Sequence, residues 1–461
     1  MLKTPRANWE DIMTKNGAEN GINSDENSKG TGLSVAIIGA GPAGYYTAES
    51  LTTDHPDVNV DIIDRLPTPY GLIRAGVAPD HQSIKNVSRR YAATNDRENV
   101  RFVGNMSLGR DITLAELKEL YDVVVLATGA AKDRPLGIEG EKLNGVIGSG
   151  AFVGWYNSHP DYADLNPDLR VASVAIIGNG NVAVDVARIL AKTAHEMEDT
   201  DLAAHAAESI HNSSIKDIYI LGRRGPLEAA FTPKELGELN ALENCVTLVD
   251  THELPSPALD ETLSGAAKKN MGHLRAMTKN NANSKPIRLH IKFYLRPMAI
   301  LGEEWVCGVR LEKTRVEDGK CIGTGETEVL PAGLVVPCIG YKTSPIEDVP
   351  YDSARGIYQS DEGRIEAGLY CVGWSRRGPT GTIGTNKPDG VGIAKKILSE
   401  VTPSGKEGRK GLERVIHERG LHVVTFADWK KIDAAETAAA ANGAPRMKIT
   451  HVDEMVSIAE S

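Results

Sequence analysis

The apolar run Ser34-Val-Ala-Ile-Ile38 passes directly into Gly39-Ala-Gly-Pro-Ala-Gly44 and then into the helix-like stretch Tyr45–Leu51. The same grammar returns at Ser173-Val-Ala-Ile-Ile177, Gly178-Asn-Gly-Asn-Val-Ala183 and Val184–Leu190. A β-branched run, a glycine turn and a helix open a dinucleotide-binding βαβ unit. In the first turn Gly39 permits the tight bend, Gly41 lets the backbone approach a pyrophosphate, and Gly44 lets the helix pack on the strand. The helix N-terminus then faces the phosphates. A glycine turn by itself is also an ordinary surface turn, so the context decides. A second strand, Val60-Asp-Ile-Ile63, ends in Asp64, about 20 residues past the glycines, where an acid reads a ribose hydroxyl. Two copies imply two nucleotide sites in one chain.

The second turn, Gly178-Asn179-Gly180-Asn181-Val182-Ala183, is followed by a strand, Ile218–Leu221, that runs into Gly222-Arg223-Arg224. Two cations stand where an NAD site carries an acid. A carboxylate would repel a 2′-phosphate, whereas guanidinium groups bind it through charge-assisted, often bidentate bonds. This reads as NADP rather than NAD; the competing reading is a solvated arginine pair at a strand end.

Length and composition narrow the rest. A chain of 461 residues has room for about three domains, each with its own core. A net charge of -10 disfavours nucleic acid as a partner. No apolar run approaches the roughly 18 residues of a membrane span. The five cysteines are scattered without a Cys-x-x-Cys pair, which leaves no disulfide framework, redox dithiol or cluster-binding run; no metal site is expected. The first thirty residues are polar and contain acids, matching neither a secretory signal nor an acid-poor transit peptide, so residues 1–33 are expected to be a flexible arm and the protein cytoplasmic. The buried-strand runs Tyr121–Ala130 and Leu334–Gly340 are read as returning the chain across a sheet. Thr193–Ser214 reads as an insertion, and the tail from Trp429 as helix, turn, strand and short helix.

Longer motifs narrow the reading further. Leu66-Pro-Thr-Pro-Tyr-Gly-Leu72, Ala78-Pro-Asp-His81, Gly178-Asn-Gly-Asn-Val-Ala-Val-Asp-Val-Ala-Arg188, Gly222-Arg-Arg-Gly-Pro-Leu227, Ala230-Phe-Thr232 and Trp374-Ser-Arg-Arg-Gly-Pro-Thr-Gly381 resemble adrenodoxin reductase and the closely similar bacterial NADPH–ferredoxin reductases. The likeness runs from about Ser34 to the C-terminus. It implies an α/β protein of two Rossmann-like domains in a glutathione-reductase-like architecture: an FAD domain split between 34–132 and 358–461, and an NADP domain, 133–357, inserted in it. Carried over residue by residue, it places Ala43, Asp64, Leu72 and Leu108 on the adenosine and pyrophosphate side of FAD, and Trp374 with Gly381, Thr382 and Ile383 by the flavin ring. Asp64 stands where the family more often has Glu, a shorter arm. NADP is expected on Asn179 to Val182, Arg223, Arg224 and Glu235, with the nicotinamide approaching Gly381.

The resemblance also pairs Glu238 with His81 near the nicotinamide, as auxiliary groups. Two of these residues have a local explanation too. Thr232-Pro-Lys-Glu235 has the form of a capping box with Pro at the first helical position, and His81 reads equally as a first-turn helix residue capped by Asp80.

The activity implied is hydride transfer from NADPH to FAD, then single-electron transfer to a ferredoxin-type iron–sulfur protein, chemistry that belongs to the cofactor while the protein orients it. A disulfide reductase lacks its dithiol here, and a glutamate-synthase-like β subunit its cysteine-rich cluster motifs; a diaphorase-like reductase and a non-catalytic nucleotide-binding flavoprotein stay open. A flavin monooxygenase would need a further substrate domain.

One anomaly concerns the partner. From Thr262 to Gly302 there is no Asp or Glu, yet Lys268, Lys269, Arg275, Lys279, Lys285, Arg288, Lys292 and Arg296 supply eight positive charges. The plain reading is a solvated helix face followed by an alternating strand. The sharper one places Lys268, Lys269, Arg275 and Lys279 on the surface that docks an acidic ferredoxin.

Overall fold

Alternation within the short apolar runs decides how the sheets are covered. In Ser34–Ile38, Val35 and Ile37 face one hydrophobic cluster while Ala36 and Ile38 face another, and Val60/Ile62 against Ile63, and Val123/Val125 against Val124/Leu126, divide in the same way. A strand buried on both faces belongs in the middle of a parallel sheet between helices. In the computed structural model, which describes residues 32–441 and 443–461, this becomes a seven-stranded sheet. Its order is Arg364–Glu366, Leu369–Cys371, Val123–Leu126, Ser34–Ile38, Asn59–Ile63, Val100–Gly104 and Val424–Thr425. The five central strands are parallel and both edge strands antiparallel.

The second glycine turn sits in a separate five-stranded parallel sheet, ordered Leu334–Pro337, Ser173–Ile177, Asp217–Leu221, Ile287–Lys292 and Cys245–Val249. One face packs on helices. The other, through Ala175, Ile177 and Val335, packs on a three-stranded antiparallel sheet of Leu295–Gly302, Val306–Glu317 and Lys320–Pro331. In both large sheets the run expected to return the chain lies beside the first strand, Val35 opposite Val123 and Ala175 opposite Val335.

The seven-stranded sheet takes strands from both ends of the chain and the five-stranded sheet from the middle. A short ladder joins the crossings, Lys132–Asp133 pairing with Tyr341–Lys342, and a local hairpin of Tyr351–Asp352 and Ile357–Tyr358 follows. Val349 and Tyr358 already pack into the core of the seven-stranded sheet, so the chain rejoins that unit some residues ahead of 358.

Other expectations are corrected. Among the described residues the tail forms no strand between its helices Phe426–Ala438 and Val452–Glu460. The N–H of Met447 is taken by the Glu436 carbonyl and that of Ile449 by the Glu436 carboxylate, both at 2.9 Å, which leaves neither for a ladder. The stretch Thr193–Ser214, read as an insertion, holds the helix Ala204–His211 and Asp201, which binds Lys85 and Lys448 across the fold. The expected N-terminal arm, 1–33, lies outside the described residues except for Gly32 and Leu33.

Candidate functional site

The first glycine turn and, through Asn181, the segment of the second open on one cavity of about 630 Å³, within the size range of small-molecule sites. At the first turn Gly39 adopts φ 115°, and a Cβ there would lie 2.4 Å from the Ala127 carbonyl oxygen; one on Gly44 would lie 2.2 Å from that of Gly39. Only glycine allows this bend and this helix–strand approach. A Cβ on Gly41 would meet no protein atom within 4 Å, and Gly41 lines the cavity. The bare backbone over the helix N-terminus is the cradle a pyrophosphate needs.

Asp64 also lines the cavity. Its Oδ2 accepts the Ala40 N–H at 2.7 Å and its Oδ1 the Leu66 N–H at 3.0 Å. The short arm is thus drawn back onto the glycine turn, with lone pairs to spare for a ribose hydroxyl. Burial pushes its carboxyl up, and the two backbone N–H groups oppose that shift. Ala43, Leu72, Trp374, Gly381, Thr382 and Ile383 line the same space. The Trp374 indole N–H donates to Thr380 O at 3.2 Å, and its ring lies parallel to Tyr341 with centroids 6.2 Å apart. Leu108 stands apart: it is not among the lining residues and packs under the sheet beside Ile112.

At the second turn the Asn179 carbonyl accepts the N–H groups of Ala230 and Phe231 at 3.0 and 3.1 Å, and Asn181 Oδ1 that of Thr232 at 2.7 Å. These asparagines tie the Ala230–Thr232 loop to the turn. Asn181, Asp185 and Glu235 carry the cavity to this side, whereas Gly178, Asn179, Gly180 and Val182 are not among the residues that line it. Arg223 is exposed and Arg224 half-buried, and neither forms an ion pair with a described residue. Their loop is nevertheless fixed, since Arg223 O accepts from the Thr314 hydroxyl at 2.8 Å and Arg224 O from Tyr294 N at 3.2 Å.

The expected capping box does not close: the Thr232 hydroxyl binds the Glu235 carboxylate but takes no backbone N–H of the helix Pro233–Glu238. Asp80 does not cap His81 either. It receives both Nε and Nη2 of Arg188, at 2.8 and 3.0 Å, and Lys192 Nζ at 2.8 Å. Burial raises the Asp80 carboxyl, but these cations outweigh it and hold the group far below the usual carboxylate range.

His81 and Glu238 do meet, Nε2 to Oε2 at 2.9 Å, with Arg188 Nη1 3.2 Å from the same carboxylate oxygen. Arg188 is 1% exposed, and its Nη1 lies 2.8 Å from Asp185 Oδ1 without the alignment of a hydrogen bond. Burial raises Glu238, and the His81 bond and Arg188 bring it below its ordinary value. Asp185 is pushed up by burial, with Arg188 opposing. The sequence held one signal for this network: Asp185 and Arg188, three apart on an otherwise apolar helix, share its buried face. Ala127–Ala131, at the end of the strand run Tyr121–Ala130, and Ser158–Pro160 also line the cavity; the latter carried no motif.

Among relatives, NADPH:adrenodoxin oxidoreductase of Arabidopsis thaliana is 40% identical over 460 residues, 93% of this chain and 95% of the relative. The Homo sapiens enzyme of the same name is 39% identical over 92% of this chain and 91% of its own. NADPH-ferredoxin reductase FprA of Mycobacterium tuberculosis is 39% identical over 92% and 98%. The chain belongs to the adrenodoxin reductase family. This is a branch of the pyridine nucleotide-disulphide oxidoreductases, whose family model matches residues 33–373. The solved structure of Mycobacterium tuberculosis FprA in complex with NADPH superposes with a TM-score of 0.89 at 38% identity, covering 93% of this chain and 100% of that one. The disulphide in the wider family's name has no counterpart in this adrenodoxin reductase-type chain. All five cysteines are free, and burial pushes the thiols of Cys245 and Cys371 up to about 12 and about 11.

Proposed function

We infer that the chain is an NADPH-dependent, FAD-containing reductase that passes electrons to a ferredoxin-type iron–sulfur protein. The observation that carries this reading is the cavity lined both by the first dinucleotide turn and by Asn181 of the second, whose neighbouring strand end carries two arginines that pair with no described carboxylate. FAD, when bound, accepts a hydride from NADPH and gives its electrons up singly to a one-electron partner.

The residues then divide the work. Gly41 and the following helix N-terminus hold the FAD pyrophosphate, Asp64 its ribose, and Trp374 with Gly381–Ile383 the flavin end. Arg223 and Arg224 take the 2′-phosphate of NADPH, and Asn181 and Glu235 carry the nucleotide toward Gly381. The His81–Glu238 pair, anchored through Arg188 and Asp80, orients the nicotinamide side; hydride transfer asks for no protein acid or base. The FAD unit is 34–132 with a C-terminal segment that rejoins it just ahead of 358 and runs to 461, and the NADP unit is the segment between them.

For the partner, we place the docking surface on the helix Gly265–Met277, which packs against the helix bearing Glu235 and Glu238. Lys268, Lys269 and Lys279 are exposed without ion-pair partners among the described residues. Arg275, expected on the same surface, is instead engaged by Asp260 and the Pro255 carbonyl. Arg288, Lys292 and Arg296 are likewise paired, with Asp217, Glu253 and Glu312. A cytoplasmic location belongs to the same proposal; among the described residues no helix is long and apolar enough to cross a membrane.

The test is NADPH-driven reduction of cytochrome c with and without an added acidic ferredoxin. Strong stimulation by the ferredoxin is expected. A rate indifferent to it would leave a diaphorase-like reductase as the better reading.

A further inference from the structure

Ser158, His159 and Pro160 lie in sequence between the two glycine turns, yet they line the cavity together with Asp64, Arg65 and Leu66. A bidentate clasp closes the gap. Arg65, next to the ribose-reading Asp64, donates to Asp161 at 2.8 and 2.6 Å. On the other flank Ser158 has φ 60°, a left-handed conformation that a non-glycine residue keeps only when its surroundings fix it. Here they do: the preceding Asn157 carbonyl accepts from Lys448 Nζ at 3.2 Å, and that buried ammonium is paired with Asp201 at 3.0 Å.

His159 is therefore held from both sides. Its Nδ1 accepts the Asp161 N–H at 3.1 Å, so in the neutral ring the proton sits on Nε2. Burial lowers the imidazole to about 4, with Asp161 opposing, which keeps the ring neutral at physiological pH. The ring packs against Tyr162 with centroids 5.3 Å apart, and Nε2 has no hydrogen-bond partner among the described residues. A fixed donor beside the ribose-reading strand end suits the hydroxyl and ring-nitrogen acceptors of an adenosine.

We propose that His159 Nε2–H donates to the adenosine half of FAD, so that a residue of the inserted segment helps to retain the flavin nucleotide. This rests on the cavity being the FAD site. Two substitutions separate the donor from the fold around it. His159→Asn keeps a side-chain acceptor for the Asp161 N–H, as a capping residue does, but lacks the reach of Nε2. His159→Phe keeps the ring on Tyr162 and removes both nitrogens. The readout is flavin release from the purified holoenzyme, followed as the rise in flavin fluorescence after dilution. Loss of one hydrogen bond should speed release about five- to tenfold in both variants. Release at the wild-type rate in both, or faster release in His159→Phe alone, overturns the proposal, the latter assigning His159 to the turn and not to the nucleotide. Wild-type protein purified without flavin would instead overturn the reading of the cavity itself.

Discussion

Replacing Arg223 and Arg224 together by alanine removes the two groups that should distinguish NADPH from NADH. Both guanidinium groups lack ion-pair partners among the described residues, and the loop that carries them is held through its own carbonyls by Thr314 and Tyr294. The double variant should therefore keep its fold and lose only binding. A hydrogen bond to a charged group contributes about 1.5–3 kcal/mol. Arg223 is exposed and Arg224 half-buried, so the lower end applies to each. The pair then amounts to roughly 3 kcal/mol, or about a hundredfold in kcat/KM for NADPH. The assay is ferricyanide reduction with NADPH and with NADH under identical conditions. NADH, which has no 2′-phosphate, should lose less than about threefold, a difference of well under 1 kcal/mol. An equal loss with both nucleotides would refute the 2′-phosphate assignment, and with it the physical reason for preferring NADP.

Replacing His81 by Ala or Glu238 by Gln should slow flavin reduction by NADPH about tenfold or less, since orientation and not proton transfer is removed; a folded, FAD-loaded His81→Ala protein whose flavin NADPH cannot reduce would mean that His81 takes part in the chemistry. Reversing the charge of Lys268, Lys269 and Lys279 should impair ferredoxin-coupled activity and flatten its dependence on ionic strength, while NADPH-to-ferricyanide activity holds; parallel loss of both would remove this helix as the docking surface. Arg275→Glu should chiefly destabilise, by breaking its contacts with Asp260 and Pro255 O, which chemical denaturation reads. Asp80→Asn leaves Arg188 as a buried, under-compensated cation and should cost about 3 kcal/mol at neutral pH. Because the folded Asp80 carboxyl is depressed, its contribution is present above the unfolded pKa of about 3.9 and disappears as pH falls through the folded value. The gap between wild type and variant should accordingly close on acidification below pH ~4; a gap that widened there would contradict the ion-pair account.

Much of this fold was legible because its information is local. Strand, glycine turn and helix follow one another within about 20 residues, and the alternation of Val35, Ala36, Ile37 and Ile38 between two hydrophobic clusters is inherent in a two-residue period. Where the reading failed, a distant partner had intervened. The tail strand is lost because Glu436 takes the N–H groups of Met447 and Ile449. The Thr232 box stays open because Asn181, fifty-one residues away, holds the Thr232 N–H. The basic run looked unpaired since Asp217, Glu253 and Asp260 come earlier and Glu312 later in the chain. The site shows the same division. His81 and Glu238 were paired from family motifs and do lie 2.9 Å apart, whereas the wall formed by Ser158–Pro160 depends on the Arg65–Asp161 clasp across ninety-six residues.

The most direct test of the central claim is an anaerobic titration of the purified wild-type protein with NADPH, and then with NADH, followed by the visible flavin spectrum. Bound FAD should bleach rapidly at about one equivalent of NADPH, while NADH should need a concentration higher by about two orders of magnitude to reach the same rate, the worth of two charge-assisted contacts. A protein that carries no flavin, or a flavin reduced equally well by both nucleotides, would contradict the account.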